Sequence, residues 1–329
     1  MHGEPVIVTG TVHIYRQRFS AMGCPCEIRL YAPSARSAAT AFALAETEVR
    51  RLDQKYSHYR GDSELALMLQ AAFHPQGVAV DSETAALLDF AACLHQESGG
   101  RFDITAGCLC ALWDRTTTVP GAKQIEAALK LTGWQRLTWD GSRLRLPPGM
   151  RLDLGGIVKE YAADHAALLL KAAGYTSGYI DLGGDLHVLG PHPDGSPWRI
   201  GIRHPRSPGA MATVAVPRGG LATSGDYERC SIIEGQRYGH ILNALTGWPA
   251  CGLASVSVIA PSCLLAGALS TLAMVQETAR GLELLTSSGL AWLAHDGRFS
   301  FGEKLARILH KGGRVNEYFE LYSVRQCFS

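Results

Sequence analysis

Apolar and polar positions alternate along residues 15–31 and break at Met22-Gly23, which predicts two strands joined by a tight turn. Residues 34–55 are Ala-rich, with apolar positions at helical spacing behind a Ser34 cap, and predict a helix. A second helix spans 82–97, capped by Ser82 and stopped by Ser98-Gly99-Gly100. A short third follows at 123–131, then a strand, a turn at Asp140-Gly141 and another strand within 133–146. Residues 151–154 read as a strand running through Gly155-Gly156 into a helix that reaches 173. A hairpin centred on Gly183-Gly184 covers 177–189, and 198–203 and 212–216 read as strands. Residues 254–260 alternate like a strand, 262–275 form a helix capped by Ser262, and a weaker alternation of helix and strand runs to the end. Strands, hairpins and helices mixed in this way predict an α+β fold with largely antiparallel sheets and packed helices. With no repeat, low-complexity run or linker, residues 1–329 are expected to form one domain, with an ordered core over about 12–310.

Composition narrows the function. Apolar residues make up 47% of the 329 positions and charged residues 19%, which excludes a disordered chain. Lys plus Arg number 31 against 30 Asp plus Glu, so charge gives no case for nucleic acid or an anionic membrane. Residues 238–276 carry no Asp, Glu, Lys or Arg, but Pro249 and Pro261 break the stretch, so no membrane span is expected. The nine cysteines are scattered, with two C-x-C pairs and no C-x-x-C, which fits reduced thiols rather than a disulfide framework or a zinc knuckle. The start, Met1-His2-Gly3-Glu4-Pro5, lacks a basic segment leading into an apolar one, so a cytoplasmic protein is expected.

No G-x-G-x-x-G follows a strand, and Walker A, H-E-x-x-H and G-x-S-x-G motifs are absent. Four segments carry candidate chemistry. Ser98-Gly99-Gly100-Arg101-Phe102-Asp103-Ile104-Thr105 presents an aromatic and a carboxylate on a turn, or is an ordinary helix end. Asp153-Leu154-Gly155-Gly156-Ile157-Val158-Lys159 can set backbone N–H groups and a lysine against a phosphate, offer a bare carbonyl to a cation, or simply turn the chain. Thr223-Ser224-Gly225 makes a small donor-rich loop for a phosphate or a flavin edge, or a helix cap by Ser224. His240, among turn residues, is a general-base candidate or a structural histidine.

The order and spacing of these segments resemble the FAD:protein FMN transferase family. The resemblance runs from Phe19-Ser20-Ala21-Met22-Gly23 to Ala273. Tyr56-Ser57-His58-Tyr59 with Ser63-Glu64-Leu65 is similar to its S-x-Y…S-E-L segment, and residues 100–105 with Leu112-Trp113 to its G-x-F-D-x-T…L-W segment. Residues 152–164 are similar to L-D-L-G-x-I-x-K-G-Y-x-x-D, and Ala266-Gly267-Ala268-Leu269-Ser270-Thr271 falls on A-D-A-L-S-T. Asp181-Leu182-Gly183-Gly184-Asp185, residues 222–227 and residues 240–247 also match. The resemblance implies FAD contacts at Met22, Tyr59, Arg101, Phe102, Asp103, Asp153, Lys159 and Ile241, with the Thr223-Ser224-Gly225 loop beside them. It implies Mg²⁺ at the Gly156 carbonyl and at Ser270 and Thr271, and a base at His240. The implied reaction is Mg²⁺-assisted: a threonine of a target flavoprotein attacks the FAD pyrophosphate, AMP leaves and FMN stays on the protein.

Three single positions and one segment depart from the family pattern. Gly267 replaces the aspartate of A-D-A-L-S-T, Glu160 replaces the glycine of K-G-Y, Cys24 replaces the threonine of Met-Gly-Thr, and Asn243-Ala244-Leu245-Thr246-Gly247 replaces D-P-x-T-G. Without the aspartate a hard cation keeps an uncharged side-chain shell unless Glu160, one turn beyond Gly156, supplies the charge. The opposite outcome is that Glu160 repels a pyrophosphate. The expected activity is Mg²⁺-dependent FMN transfer. The alternatives are an FAD-binding accessory protein without chemistry and an FAD pyrophosphatase.

Overall fold

The computed structural model describes residues 12–57, 60–114, 116–296 and 298–304. Its centre is an eight-stranded sheet of β1 (His13–Ala21), β2 (Cys24–Ala32), β3 (Gly178–Leu182), β4 (Asp185–Gly190), β5 (Gly219–Gly225), β6 (Ser255–Ala260), β7 (Ala291–His295) and β8 (Phe299–Phe301). Spatial order equals chain order, and every neighbouring pair is antiparallel. The expected α+β class with antiparallel pairing is what the structure has.

The helices enter as insertions into this meander. Six lie between β2 and β3: α1 (Ala35–Tyr56), α2 (Glu64–Ala72), α3 (Ser82–Glu97), α4 (Gly107–Trp113), α5 (Ala122–Leu129) and α6 (Val158–Ala172). Two more, α7 (Cys263–Val275) and α8 (Thr278–Ser287), lie between β6 and β7. One sheet face packs against α1, α6 and α7 through Ile28, Leu30, Leu52, Ala163, Val256 and Leu269. The other face is covered by a two-stranded ribbon, Trp198–Arg203 with Ala210–Val216, which buries Trp198 and Val214 against Leu186 and Leu221. With both faces covered, β4 and β6 are buried at every position, although their sequences still alternate polar and apolar residues. No helix of the described residues is long and apolar enough to cross a membrane.

Four local expectations are corrected. Asp81, not Ser82, caps α3, its carboxylate accepting from Thr84 N at 3.0 Å. Helices α2 and α4, nine and seven residues long, escaped a periodicity argument because neither completes three turns. Residues 151–154 form no strand; Arg151 makes a single parallel bridge to Ala106, and the segment crosses the core as extended chain. Ser224 lies in β5 and caps no helix.

Candidate functional site

Two glycine hairpins form one wall. Met22 and Gly23 both adopt left-handed backbone, φ 51° and 66°, as a two-residue turn between β1 and β2 requires. Gly183 and Gly184 do the same between β3 and β4. A Cβ on Gly183 would stand 2.8 Å from Cys24 Cβ, so the two turns touch and this glycine is obligatory. Cys24 Sγ lies 4.0 Å from Cys26 Sγ; that contact, then the Lys159 and Arg229 cations, hold its pKa below the ordinary thiol value against burial.

Arg229 links this wall to His240. Its guanidinium donates to Gly23 O at 3.3 Å, and its own carbonyl accepts from His240 N at 3.0 Å. The same carbonyl lies 3.1 Å from His240 Nδ1. A carbonyl only accepts, so Nδ1 carries the ring proton and Nε2 keeps its lone pair. The residue is exposed at the cleft mouth, while protein atoms crowd the ring. That loss of water, followed by the Arg229 and Lys159 charges, pushes the imidazole below its usual value, and it is neutral at pH 7.

The loop after α3 forms a second wall. Asp103 accepts from Thr105 N at 2.8 Å, Thr105 Oγ1 at 2.7 Å and Trp134 N at 2.8 Å. Burial opposes its charge, but His95 and these bonds outweigh burial and keep its pKa low. The carboxylate is thus engaged inside the loop. Arg101 donates to Ser98 O at 3.1 Å, and its carbonyl accepts from Ala244 N at 2.9 Å, tying the loop to the segment after His240. The half-buried Phe102 ring lies over Gly156, where an added Cβ would stand 3.1 Å from Cε2. Half-buried Ile241 packs on the core and accepts from Ala250 N at 2.7 Å.

The floor is the start of α6 beside α7. Asp153 Oδ1 accepts from Gly155 N at 2.8 Å, which shapes the turn and leaves Gly155 and Gly156 exposed. Ile157, at the N-cap of α6, provides no side-chain cap, so the helix start stays open to an anion. The Lys159 ammonium pairs with Asp185 and lies 3.3 Å from Glu160 Oε1. Asp185 Oδ1 also accepts from Thr223 N at 2.9 Å, and Thr223 Oγ1 meets Ser257 Oγ at 2.8 Å. Ser224 Oγ joins β5 to α7, 2.8 Å from Ser270 Oγ and 2.9 Å from Thr271 Oγ1. The α7 N-terminus is held by Ser262 Oγ and by Asp164 of α6, whose carboxylate accepts from Cys263 N at 2.7 Å and Leu264 N at 2.9 Å. Glu160 is 8% exposed and packs on Gly267.

These contacts link the described sequence candidates to neighbouring elements; Tyr59 lies outside the described residues. Asp185, Arg229 and Asp164 were not singled out as site residues. Asp185, a carboxylate closing a Gly-Gly hairpin, and Asp164, the last residue of the 152–164 motif, carried a signal; the Arg229 contact spans 206 residues of chain. A separate cavity of about 160 Å³ under α1, α2 and α3, lined by Tyr56, Leu65, Met68 and Thr84, holds no candidate site residue among the described residues.

An open helix start, a lysine among carboxylates, a hydroxyl cluster and a neutral histidine stand near one another here. The sequence profile of the ApbE family matches residues 22–294. The FAD:protein FMN transferase of Vibrio cholerae serotype O1 is 32% identical over 250 residues, covering 72% of this chain and 75% of that protein. The FAD:protein FMN transferase of Escherichia coli K12 is 30% identical over 259 residues, covering 75% and 74%. Among solved structures, the ApbE protein of Thermotoga maritima matches with a TM-score of 0.83 and 31% identity over 91% of this chain and all of that one. The flavin transferase ApbE from Vibrio cholerae matches at 0.81 and 27% identity, with the same coverage of each chain. The chain belongs to the ApbE family, as its motifs led us to expect.

Proposed function

We propose that the protein is an FAD:protein FMN transferase acting on a threonine of a target flavoprotein. The observation that carries this reading is the neutral His240, with Nδ1 bound to a carbonyl and Nε2 free, facing a cleft that also holds Lys159. The acceptor Thr Oγ attacks the FMN phosphorus of FAD, and its proton passes to His240 Nε2. The bond from that phosphorus to the bridging oxygen breaks, and AMP leaves with the electron pair. Met22, Phe102 and Ile241 offer apolar surface to the flavin or adenine, and Arg101 and Lys159 offer cations to the phosphates. Asp103 and Asp153 set the loops, and Thr223-Ser224-Gly225 supplies donors beside them. Tyr59 belongs to the same reading by motif alone.

The donors beside this cleft are oxygens: the Gly156 carbonyl, the Ser270 and Thr271 hydroxyls and nearby carboxylates. That set suits Mg²⁺. Bound there, Mg²⁺ would neutralise charge that develops on the pyrophosphate. The scattered, odd cysteine set supports a cytoplasmic location.

The test is incubation with FAD, Mg²⁺ and a threonine-bearing acceptor domain, following AMP and the acceptor's intact mass. The expected result is one AMP per FMN added to the acceptor. Because His240 is exposed and can serve water as well as a hydroxyl, the assay also scores hydrolysis. AMP with free FMN and an unmodified acceptor would identify a pyrophosphatase instead. FAD bound without AMP release would identify a flavin holder.

A further inference from the structure

Glu160 stands in the first turn of α6, where its side chain reaches α7 at Gly267. A Cβ placed on Gly267 would lie 2.6 Å from Glu160 Cγ, 3.1 Å from Cδ and 3.2 Å from Oε1. Glycine is a poor choice inside a buried helix, and here the Glu160 carboxylate fills the room it leaves. Oε1 has a cation at 3.3 Å, but that ammonium also pairs with Asp185, so one lysine serves two carboxylates. Oε2 is buried and has no hydrogen-bond partner among the described residues. A carboxylate oxygen left bare in a protein interior is costly, and such groups persist where a cation or donor completes them. On α7, Thr271 lies one turn beyond Gly267 on the same face and Ser270 donates to Gly267 O at 3.0 Å; both hydroxyls also meet Ser224 Oγ and keep a lone pair for a cation.

We infer that Glu160 is the anionic ligand of a divalent cation between α6 and α7, and that residues 160 and 267 share one carboxylate's space, so that either helix can supply the charge but not both. The two departures from the family pattern are then halves of one exchange. This deepens the transferase reading and rests on it only for the purpose of the cation, not for its binding.

The test uses the whole chain and Mn²⁺ as the probe, read by electron paramagnetic resonance or calorimetry without FAD, with Tm measured in parallel. Glu160→Gln, which keeps the shape and removes the charge, should weaken Mn²⁺ at least tenfold with Tm unchanged or raised. Gly267→Asp alone should lower Tm, because two side chains then compete for one space. The double variant Glu160→Gly with Gly267→Asp should regain both Tm and Mn²⁺ affinity to within about threefold of the parent, a difference of under 1 kcal/mol. The inference is overturned by parent-like Mn²⁺ affinity in Glu160→Gln, by an unchanged Tm in Gly267→Asp, or by a folded double variant that does not bind Mn²⁺. Failure of the transferase reading shows differently: Mn²⁺ binding follows the pattern above while no FMN reaches the acceptor.

Discussion

Helix α6 touches two carboxylate clusters, one towards α1 and α3 and one towards α7, and they are built on opposite terms. On the α1–α3 side, Arg51 is forked between Glu48 and Glu83, with pairs at 2.7 Å to each. Lys55 reaches Glu83 at 2.8 Å and Asp81 at 2.9 Å, Tyr161 of α6 donates to Glu83 at 3.1 Å, and His165 of α6 lies 2.6 Å from Glu48. Glu48, Glu83 and His165 are close enough together to hold a metal ion, but two cations already occupy their charge. On the α7 side, Glu160 and Asp185 share Lys159, and Glu160 Oε2 has no hydrogen-bond partner among the described residues. Proximity of carboxylates is therefore a poor guide to a ligand site; the balance of partners separates a structural ion network from a site built to receive a cation.

This comparison yields a graded set of expectations. The largest effect is on chemistry at the cleft: His240→Ala should slow FMN transfer by about 10²–10⁴-fold, the range for a lost general base, while FAD binding is retained. The working form is the neutral ring and its pKa is lowered. Transfer should therefore be flat around pH 7 and fall only as pH drops below the usual imidazole value of about 6.5, through the depressed one. A pH profile of single-turnover transfer checks both statements.

Smaller effects, on stability alone, belong to the other cluster. Arg51→Ala strips both glutamates of their shared partner and should cost about 1–3 kcal/mol, read by denaturant unfolding, with Mn²⁺ affinity unchanged. Arg51 first, and Lys55 after it, hold the Glu83 pKa down to about 2 despite burial. A depressed carboxylate stabilises the fold above its unfolded value of about 4.3, and that contribution is lost as pH falls towards 2. Arg51→Ala should therefore flatten the acid side of the stability profile over that window. Asp164→Ala removes two bonds from the α7 N-terminus but leaves Ser262 in place, so a loss of about 1 kcal/mol is expected in the same assay.

Much of this was legible before the structure. β1, β2, β3, β4 and β6 announced themselves by alternation and by Gly-containing turns, and α1 and α7 by their serine caps, whereas β5 was read as a loop. What stayed hidden depends on tertiary contact. The eight-strand order needs β2 beside β3 across 145 intervening residues, and no local pattern encodes that pairing. Asp103 illustrates the limit at the site: the motif singled it out as a FAD contact, and only the structure shows its carboxylate engaged by Thr105 and Trp134. Glu160 illustrates the reverse. The sequence showed two departures 107 positions apart, and their meaning as a pair came from one close contact between α6 and α7.

The most direct measurement of the central contrast is a Mn²⁺ titration of the parent chain alongside Glu160→Gln and Glu48→Gln. The account predicts one Mn²⁺ site per chain, weakened at least tenfold in Glu160→Gln and unchanged in Glu48→Gln. A site lost with Glu48→Gln, or untouched by Glu160→Gln, would contradict it.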